Sequence, residues 1–340
     1  MKTVAFFNNK GGVGKTSLVY HLAWMFADQG RRVITADLDP QANLSGMFLT
    51  EEAMEEMSND PARKTINDDI APLFEGTGDI ASTPHVEEIS DRIGLLTGDL
   101  GLSRQEDELS LQWPRCLDED PRAFRVTTAF ARLIGSASGR FDADLALVDV
   151  GPNLGALNRA SLVACDHVIV PLAPDLFSLQ GLRNVGPTLK KWRKAWSERR
   201  AKKPEGLELD LPQGTMDPAG YVIMRHSVRN YRPVKAFARW IEKIPGEYRQ
   251  SVVQADDCSS DADSADPHLL AHLKDYRSLM PLAQEASKPM FKLKPADGAI
   301  GGHQTAVQEC YRDFRDLARK IEDRIGSERR TPTRQEETQK

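Results

Sequence analysis

Cysteine is scarce and unpaired in this 340-residue chain: Cys116, Cys165, Cys258 and Cys310 stand far apart and form no Cys-x-x-Cys pair. That argues against a disulfide framework or a zinc site, and it predicts isolated thiols in a reducing cytoplasm. Long apolar runs are missing as well. No stretch approaches the roughly 20 residues that a spanning helix needs. The run Val4–Phe7, close behind Met1, is too short for a signal-peptide core and leads into glycines without a cleavage site. Nor is there an excess of positive charge. Against 45 Lys+Arg stand 50 Asp+Glu, a net −5, which excludes an overall basic nucleic-acid coat but allows a local basic patch. With 40% hydrophobic and 28% charged residues, the composition is that of a soluble globular chain with a sizeable core.

Strand and helix patterns alternate along most of the length. Strands are expected at 3–8, 32–36, 93–97, 145–150, 167–171 and 221–224. Helices are expected at 16–29, capped by Gly30, and at 123–136, 154–165, 179–196, 233–244 and 304–325. This alternation predicts an α/β fold: a mostly parallel, doubly wound sheet flanked by helices. Two acidic insertions interrupt it, near 51–84 and at 255–267, the latter with five aspartates and no base. The second lacks the glycine and distal glutamate of an EF-hand, so it reads as a solvated loop. Residues 326–340 are polar and charged and read as a disordered tail.

The strongest signal is Lys10-Gly11-Gly12-Val13-Gly14-Lys15-Thr16-Ser17, set between a strand and a helix. Glycines let the backbone wrap closely around phosphates, so that successive N–H groups and the helix N-terminus face the anion. Lys15 would reach the β- and γ-phosphates, and the Thr16 hydroxyl would ligate Mg²⁺. Asn9 stands where a Walker loop has its first glycine, and Lys10 adds a second lysine. Downstream come Asp37-Leu38-Asp39-Pro40-Gln41-Ala42-Asn43, then Leu145-Ala146-Leu147-Val148-Asp149-Val150-Gly151-Pro152, then Ser178-Leu179-Gln180-Gly181-Leu182.

Together these motifs resemble the ParA/MinD family of deviant Walker P-loop ATPases, most densely over 1–50 and 141–190. The resemblance implies a single ATPase domain over 1–325 that binds ATP and Mg²⁺. It implies that Lys10 crosses an ATP-sandwiched dimer interface to the partner's nucleotide. Lys15 would bind phosphate, while Thr16, Asp37 and Asp149 would serve the metal. Asp39 would orient the attacking water. Two switch segments follow, Asp39, Pro40, Gln41 and Asn43 in the first and Gly151 and Pro152 in the second. Many relatives carry a double proline after the Walker B aspartate, and this chain has Gly151-Pro152-Asn153 instead.

Lys190–Lys203 holds eight bases and one acid, interleaved with Trp192 and Trp196. Lys190, Lys191, Arg193, Lys194, Arg199, Arg200, Lys202 and Lys203 are candidate contacts to DNA phosphates. The alternative is a helix with its tryptophans in the core and a solvated far side. A second basic cluster spans Arg225–Lys235. The C-terminal stripe Tyr311, Phe314, Leu317, Ala318, Ile321 and Ile325 reads as a core-packed helix rather than a membrane anchor.

The resemblance implies a homodimer in the ATP state, non-specific DNA binding that places the protein on the nucleoid, and a ParB-like or other partner that stimulates slow hydrolysis. The output would be partition or positioning of a plasmid, chromosome or protein cargo. With the loop beginning at residue 10, no N-terminal helix-turn-helix is expected. The alternatives are an ATP switch for a defence, conjugation or secretion machine, and a metabolic ATP-dependent ligase or synthase on the same scaffold.

Overall fold

Parallel strands covered on both faces must be apolar almost throughout, and the first elements of the chain are. In the computed structural model, which describes residues 1–60, 62–226, 228, 229, 232, 233, 235–254, 266–276 and 278–326, β1 is Lys2–Phe6, α1 Lys15–Asp28 and β2 Val33–Asp37. Helices α2 (Asn43–Phe48), α3 (Glu51–Asn59) and α4 (Ile66–Phe74) precede strands β3 (Glu87–Ser90) and β4 (Ile93–Leu96). Then follow α5 (Glu106–Arg115), α6 (Pro121–Thr127), α7 (Ala129–Phe141), β5 (Leu145–Asp149), α8 (Ala156–Val163), β6 (His167–Leu172) and α9 (Leu176–Arg200). The last third holds β7 (Asp217–His226), the short pair β8 (Val228–Arg229) and β9 (Arg232–Pro233), α10 (Lys235–Ile241), α11 (Ile244–Tyr248), β10 (Leu269–Lys274), α12 (Met280–Glu285) and α13 (Gly302–Ile325).

Eight strands join in the order β10-β7-β6-β1-β5-β2-β4-β3, and every neighbouring pair is parallel except β3–β4. The predicted fold class is the observed one. One face packs on α4 to α9 through residues such as Phe124, Leu133, Leu182 and Trp196. The other packs on α1 and α13 through Leu18, Phe26, Phe314 and Ile321. Strand β1 lies between β5 and β6, so the loop that follows it opens at the carboxyl end of the middle of the sheet, where ligands of doubly wound folds sit.

Several elements differ from expectation for local reasons. The expected helix at 123–136 is two helices that meet at Thr128, where the backbone leaves helical geometry and the hydroxyl donates to Phe124 O at 2.7 Å. The segment read as an acidic insertion builds α3 and α4. Thr50 caps α3, and Thr65 with Asp68 forms a capping box on α4, so much of its acid sits where helix N-termini favour it. Strands β3 and β10 and helices α5, α11 and α12 went unforeseen. In α13, Phe314, Leu317, Ala318, Ile321 and Ile325 are buried, as a core-packed helix requires. Cys116, Cys165 and Cys310 are free and buried. Cys258, most of the loop at 255–267 and the tail from 327 lie outside the described residues. So do the side chains of Arg225, Arg229, Arg232 and Lys235. Among the described residues, no helix is long and apolar enough to cross a membrane.

Candidate functional site

The connection after β1 turns on two glycines with left-handed backbone, Gly12 at φ +70 and Gly14 at φ +91, and Gly14 is the N-cap of α1. Such φ values strain any L side chain, so the glycines are what lets the loop form here. Gly11 and Gly12 face open space, while Val13 is buried as the anchor of the loop. Asn8 ties the loop to the sheet: its Nδ2 donates to Pro171 O at 2.7 Å and its Oδ1 accepts from Lys10 N at 3.0 Å. Gly181 of α9 permits that approach, since a Cβ there would lie 3.0 Å from Asn9 Oδ1 and 3.1 Å from Asn8 Oδ1. Lys15 is buried and its Nζ donates back to Lys10 O at 3.5 Å. Burial lowers its pKa, against the pull of Asp149 and Asp39. Thr16 and Ser17 are half-buried in the first turn of α1.

Three carboxylates converge on this turn. Asp37 and Asp149 end adjacent strands and are paired in register, and Asp39 lies two residues beyond Asp37. Asp149 is fully buried, and neither of its oxygens has a hydrogen-bond partner of normal geometry. Burial and the neighbouring Asp37 push its carboxyl up to about 8, although Thr16 and Lys15 oppose the shift. Asp37 is likewise pushed up by burial to about 6; its Oδ2 accepts from Ser45 N at 2.8 Å and Ser45 Oγ at 2.7 Å, while Oδ1 is unpartnered. Asp39 Oδ1 accepts from Gln41 N at 3.1 Å.

Both oxygens of Asp149 and Oδ1 of Asp37 are buried without a donor, and such oxygens ask for a cation. Among the described residues, no group of three His, Cys, Asp or Glu is arranged to hold a metal by itself. The oxygens of Asp37, Asp149 and the Thr16 hydroxyl are hard donors, a set that fits a hydrated Mg²⁺ also held by phosphate oxygens.

The segments around Asp39 and Gly151 touch. A Cβ on Gly151 would lie 3.3 Å from Asp39 Oδ1, so glycine leaves room for that carboxylate. Asn158 of α8 holds the second segment, its Nδ2 donating to Gly151 O and Asn153 O at 2.7 Å each. Glu106 of α5 accepts from Ala156 N at 2.5 Å and Leu157 N at 2.8 Å, and so caps α8 from another helix. Pro40 is half-buried, and Gln41, Asn43 and Pro152 are exposed.

Lys10 is held within its own chain. Its Nζ pairs with Asp175 Oδ2 and lies 5.7 Å from the centroid of the Phe177 ring. Asp175 also caps α9, its Oδ1 accepting from Ser178 N at 2.8 Å. Reasoning from sequence missed Asn8, Ser45, Glu106, Asn158 and Asp175. Of these, only Asp175 carried a local signal, an N-cap residue ahead of the helix.

The basic segment on α9 divides by face. Lys190, Lys191, Lys194, Lys202 and Lys203 are exposed, Arg193 and Arg200 are half-buried, and Trp192 and Trp196 are in the core. Arg199 corrects the expectation of a DNA contact. It is buried, stacks on Trp113 at 4.3 Å, and donates through Nε to Trp113 O at 2.8 Å and through Nη1 to Ala195 O at 2.9 Å. Arg199→Glu should therefore destabilise the fold, by about 3 kcal/mol as for a buried unpaired charge. A melting temperature equal to wild type would show that Arg199 is not structural.

The family model described as AAA domain (AAA_31) matches residues 1–201. The protein IncC of Escherichia coli is 33% identical over 193 residues, which are 56% of this chain and 46% of that protein. The chain spans less than two thirds of the length of the curated relatives it matches, for example 63% and 64%. Among solved structures, DIP2308 from Corynebacterium diphtheriae is 26% identical with a TM-score of 0.70, covering 96% of this chain and 99% of that one. The McdA–ATP complex from Cyanothece is 16% identical with a TM-score of 0.63, covering 97% and 98%, a likeness of fold.

Proposed function

This chain belongs to the AAA domain family, and from that premise we propose that it is a ParA-like ATPase switch in which ATP-bound copies pair and bind DNA without reading its sequence. The observation that carries the reading is the cluster of Asp37, Asp39 and Asp149, buried together beside Lys15 and next to Thr16 at the head of α1. In that reading the backbone of Gly11 to Thr16 cradles the phosphates and Lys15 neutralises them. Thr16, Asp37 and Asp149 would hold Mg²⁺, which when bound offsets the charge that gathers on the phosphates. Asp39 orients a water toward the γ-phosphate, and Gly151 allows the second switch to approach it.

Exposed Leu100, Leu154, Leu176 and Phe177 all follow strands at their carboxyl ends. Apolar side chains gathered around an ATP site suit a second copy of this chain. Lysines on the outer face of α9 offer phosphate contacts of the non-specific kind. Hydrolysis would part the dimer, with a ParB-like or other partner speeding a slow basal rate and a plasmid, chromosome or protein cargo moved as the output.

The test is ATP turnover with and without duplex DNA, together with ATP-dependent retention of DNA, in wild type and Asp39→Ala. The variant should turn over on the order of 10²-fold more slowly yet accumulate an ATP-bound dimer that keeps hold of DNA. Undiminished turnover would mean that the water is placed by another group. DNA-independent behaviour in both proteins would favour an adaptor or a metabolic synthase.

A further inference from the structure

At the amino ends of the strands, the pole opposite the phosphate loop, three turns and one helix enclose a cavity of about 620 Å³. The turns are those leading into β2, β4 and β5, and the helix is α13. Arg31, Arg32, Arg92, Arg315 and Arg319 line the cavity, while its carboxylates are only Asp91, Asp144 and Glu322. Arg315 is already held by its neighbour Asp316, its Nη2 at 2.9 Å from Oδ1, so five guanidinium groups against these four carboxylates leave one positive charge in excess.

The arginines are not equivalent. Arg32 is spent on structure: its Nε donates to Phe141 O at 2.8 Å and its Nη1 to Asp91 O at 2.8 Å, which pins the turns together. Arg31 gives Nε to Glu322 at 2.7 Å, but its Nη2 is buried without a partner, on a side chain only 11% exposed. Arg92 reaches across Gly30 (φ +89), where a Cβ would lie 3.3 Å from Arg92 Nη1. Arg92 pairs with its neighbour Asp91, at 3.6 Å. Arg319 is exposed and has no ion pair among the described residues.

A buried guanidinium donor without an acceptor is costly to keep, and planar forks match oxyanions through paired hydrogen bonds. A carboxylate offers one charge and two oxygens. A phosphate offers more oxygens around one centre, which matches the donors left unused on Arg31, Arg92 and Arg319.

We propose that this cavity is a second anion site, which binds phosphate groups independently of the phosphate loop. Their source is either a free polyphosphate or the backbone of a nucleic acid, and the two have the same chemistry at the site. The test uses inorganic tripolyphosphate and a fluorescent DNA duplex as probes, with saturating ADP present so that the phosphate loop does not compete. Tripolyphosphate should slow amide exchange at 29–32 and 91–92. Arg92→Gln combined with Arg319→Gln should weaken its binding about tenfold, and the corresponding double Lys variant should fall between, because it keeps the charge and loses the fork. If duplex affinity drops in parallel and tripolyphosphate displaces the duplex, the ligand is a nucleic-acid backbone; if duplex affinity is unchanged, it is a free polyphosphate. No tripolyphosphate binding to wild type, or equal affinity in the double Gln variant, overturns the site.

Discussion

Asp149→Asn should raise the melting temperature of the nucleotide-free protein at pH 8 while lowering ATP turnover on the order of a hundredfold or more. Both effects have one origin, the fully buried carboxylate without hydrogen-bond partners at the end of β5. An aspartate in an unfolded chain titrates near 3.9, and Asp149 in the folded chain titrates at about 8. Between those values the folded chain holds a proton that the unfolded chain has released. Stability is therefore full below about pH 4 and declines as pH rises toward 8. A neutral amide removes that decline, so the gain should be on the order of 5 kcal/mol at pH 8, about 1.4 for each pH unit between the two values, and near zero at pH 4. Asp37, raised to about 6, keeps a smaller slope in the variant. Function runs the other way, because the charge that burdens the empty fold is the one a bound cation needs. Equal melting temperatures at pH 8, or normal turnover, would refute this account of Asp149.

Lys10→Ala should leave the protein monomeric at saturating ATP. In the proposed dimer Lys10 supplies charge to the partner's nucleotide, and an alanine restores none of it. The isolated chain holds Lys10 against Asp175 and beside Phe177, so pairing must first break that contact. Asp175→Asn removes the charge but keeps an N-cap for α9, since asparagine caps about as well as aspartate. Its ion pair is partly exposed, with side chains 27% and 34% accessible, so a modest effect of about 0.5–1 kcal/mol is expected. The ATP concentration at half-dimerisation should fall two- to fivefold by that measure. Sedimentation velocity reads both variants. A normal ATP-dependent dimer of Lys10→Ala would rule out the sandwich, and an unshifted midpoint for Asp175→Asn would show that the contact within the chain does not restrain Lys10.

What the sequence made legible was local. Gly12, Gly14 and Lys15 form a recognisable loop because positive φ and phosphate reach are properties of single residues at fixed spacing. Asp37 and Asp149 could be named because each ends an apolar strand. The partners of these residues were not legible. Ser45 reaches Asp37, Glu106 reaches the start of α8 and Asp175 reaches Lys10 only after the sheet has assembled. Arg199 misled for the opposite reason. On a helix wheel it belongs with its basic neighbours, but a stacked Trp113 and two carbonyls draw it inside. Strand β10 escaped notice because its pattern of burial is interrupted by exposed and half-buried positions.

The reach of Glu106 has a mechanical consequence. Two backbone N–H groups at the head of α8 have their acceptors on α5, and Arg159, one turn into α8, stacks on Trp113 of the same helix at 4.4 Å. Sliding α5 would strand those donors, at about 1–3 kcal/mol each, so α5 and the start of α8 move as one lever. The outer side of that lever carries exposed Leu111, with exposed Leu117 just beyond its end, and its inner end carries Asn158, which grips Gly151. These contacts form a continuous chain from the surface of α5 to Asn158, whose Nδ2 donates to the carbonyl of Gly151 beside Asp39.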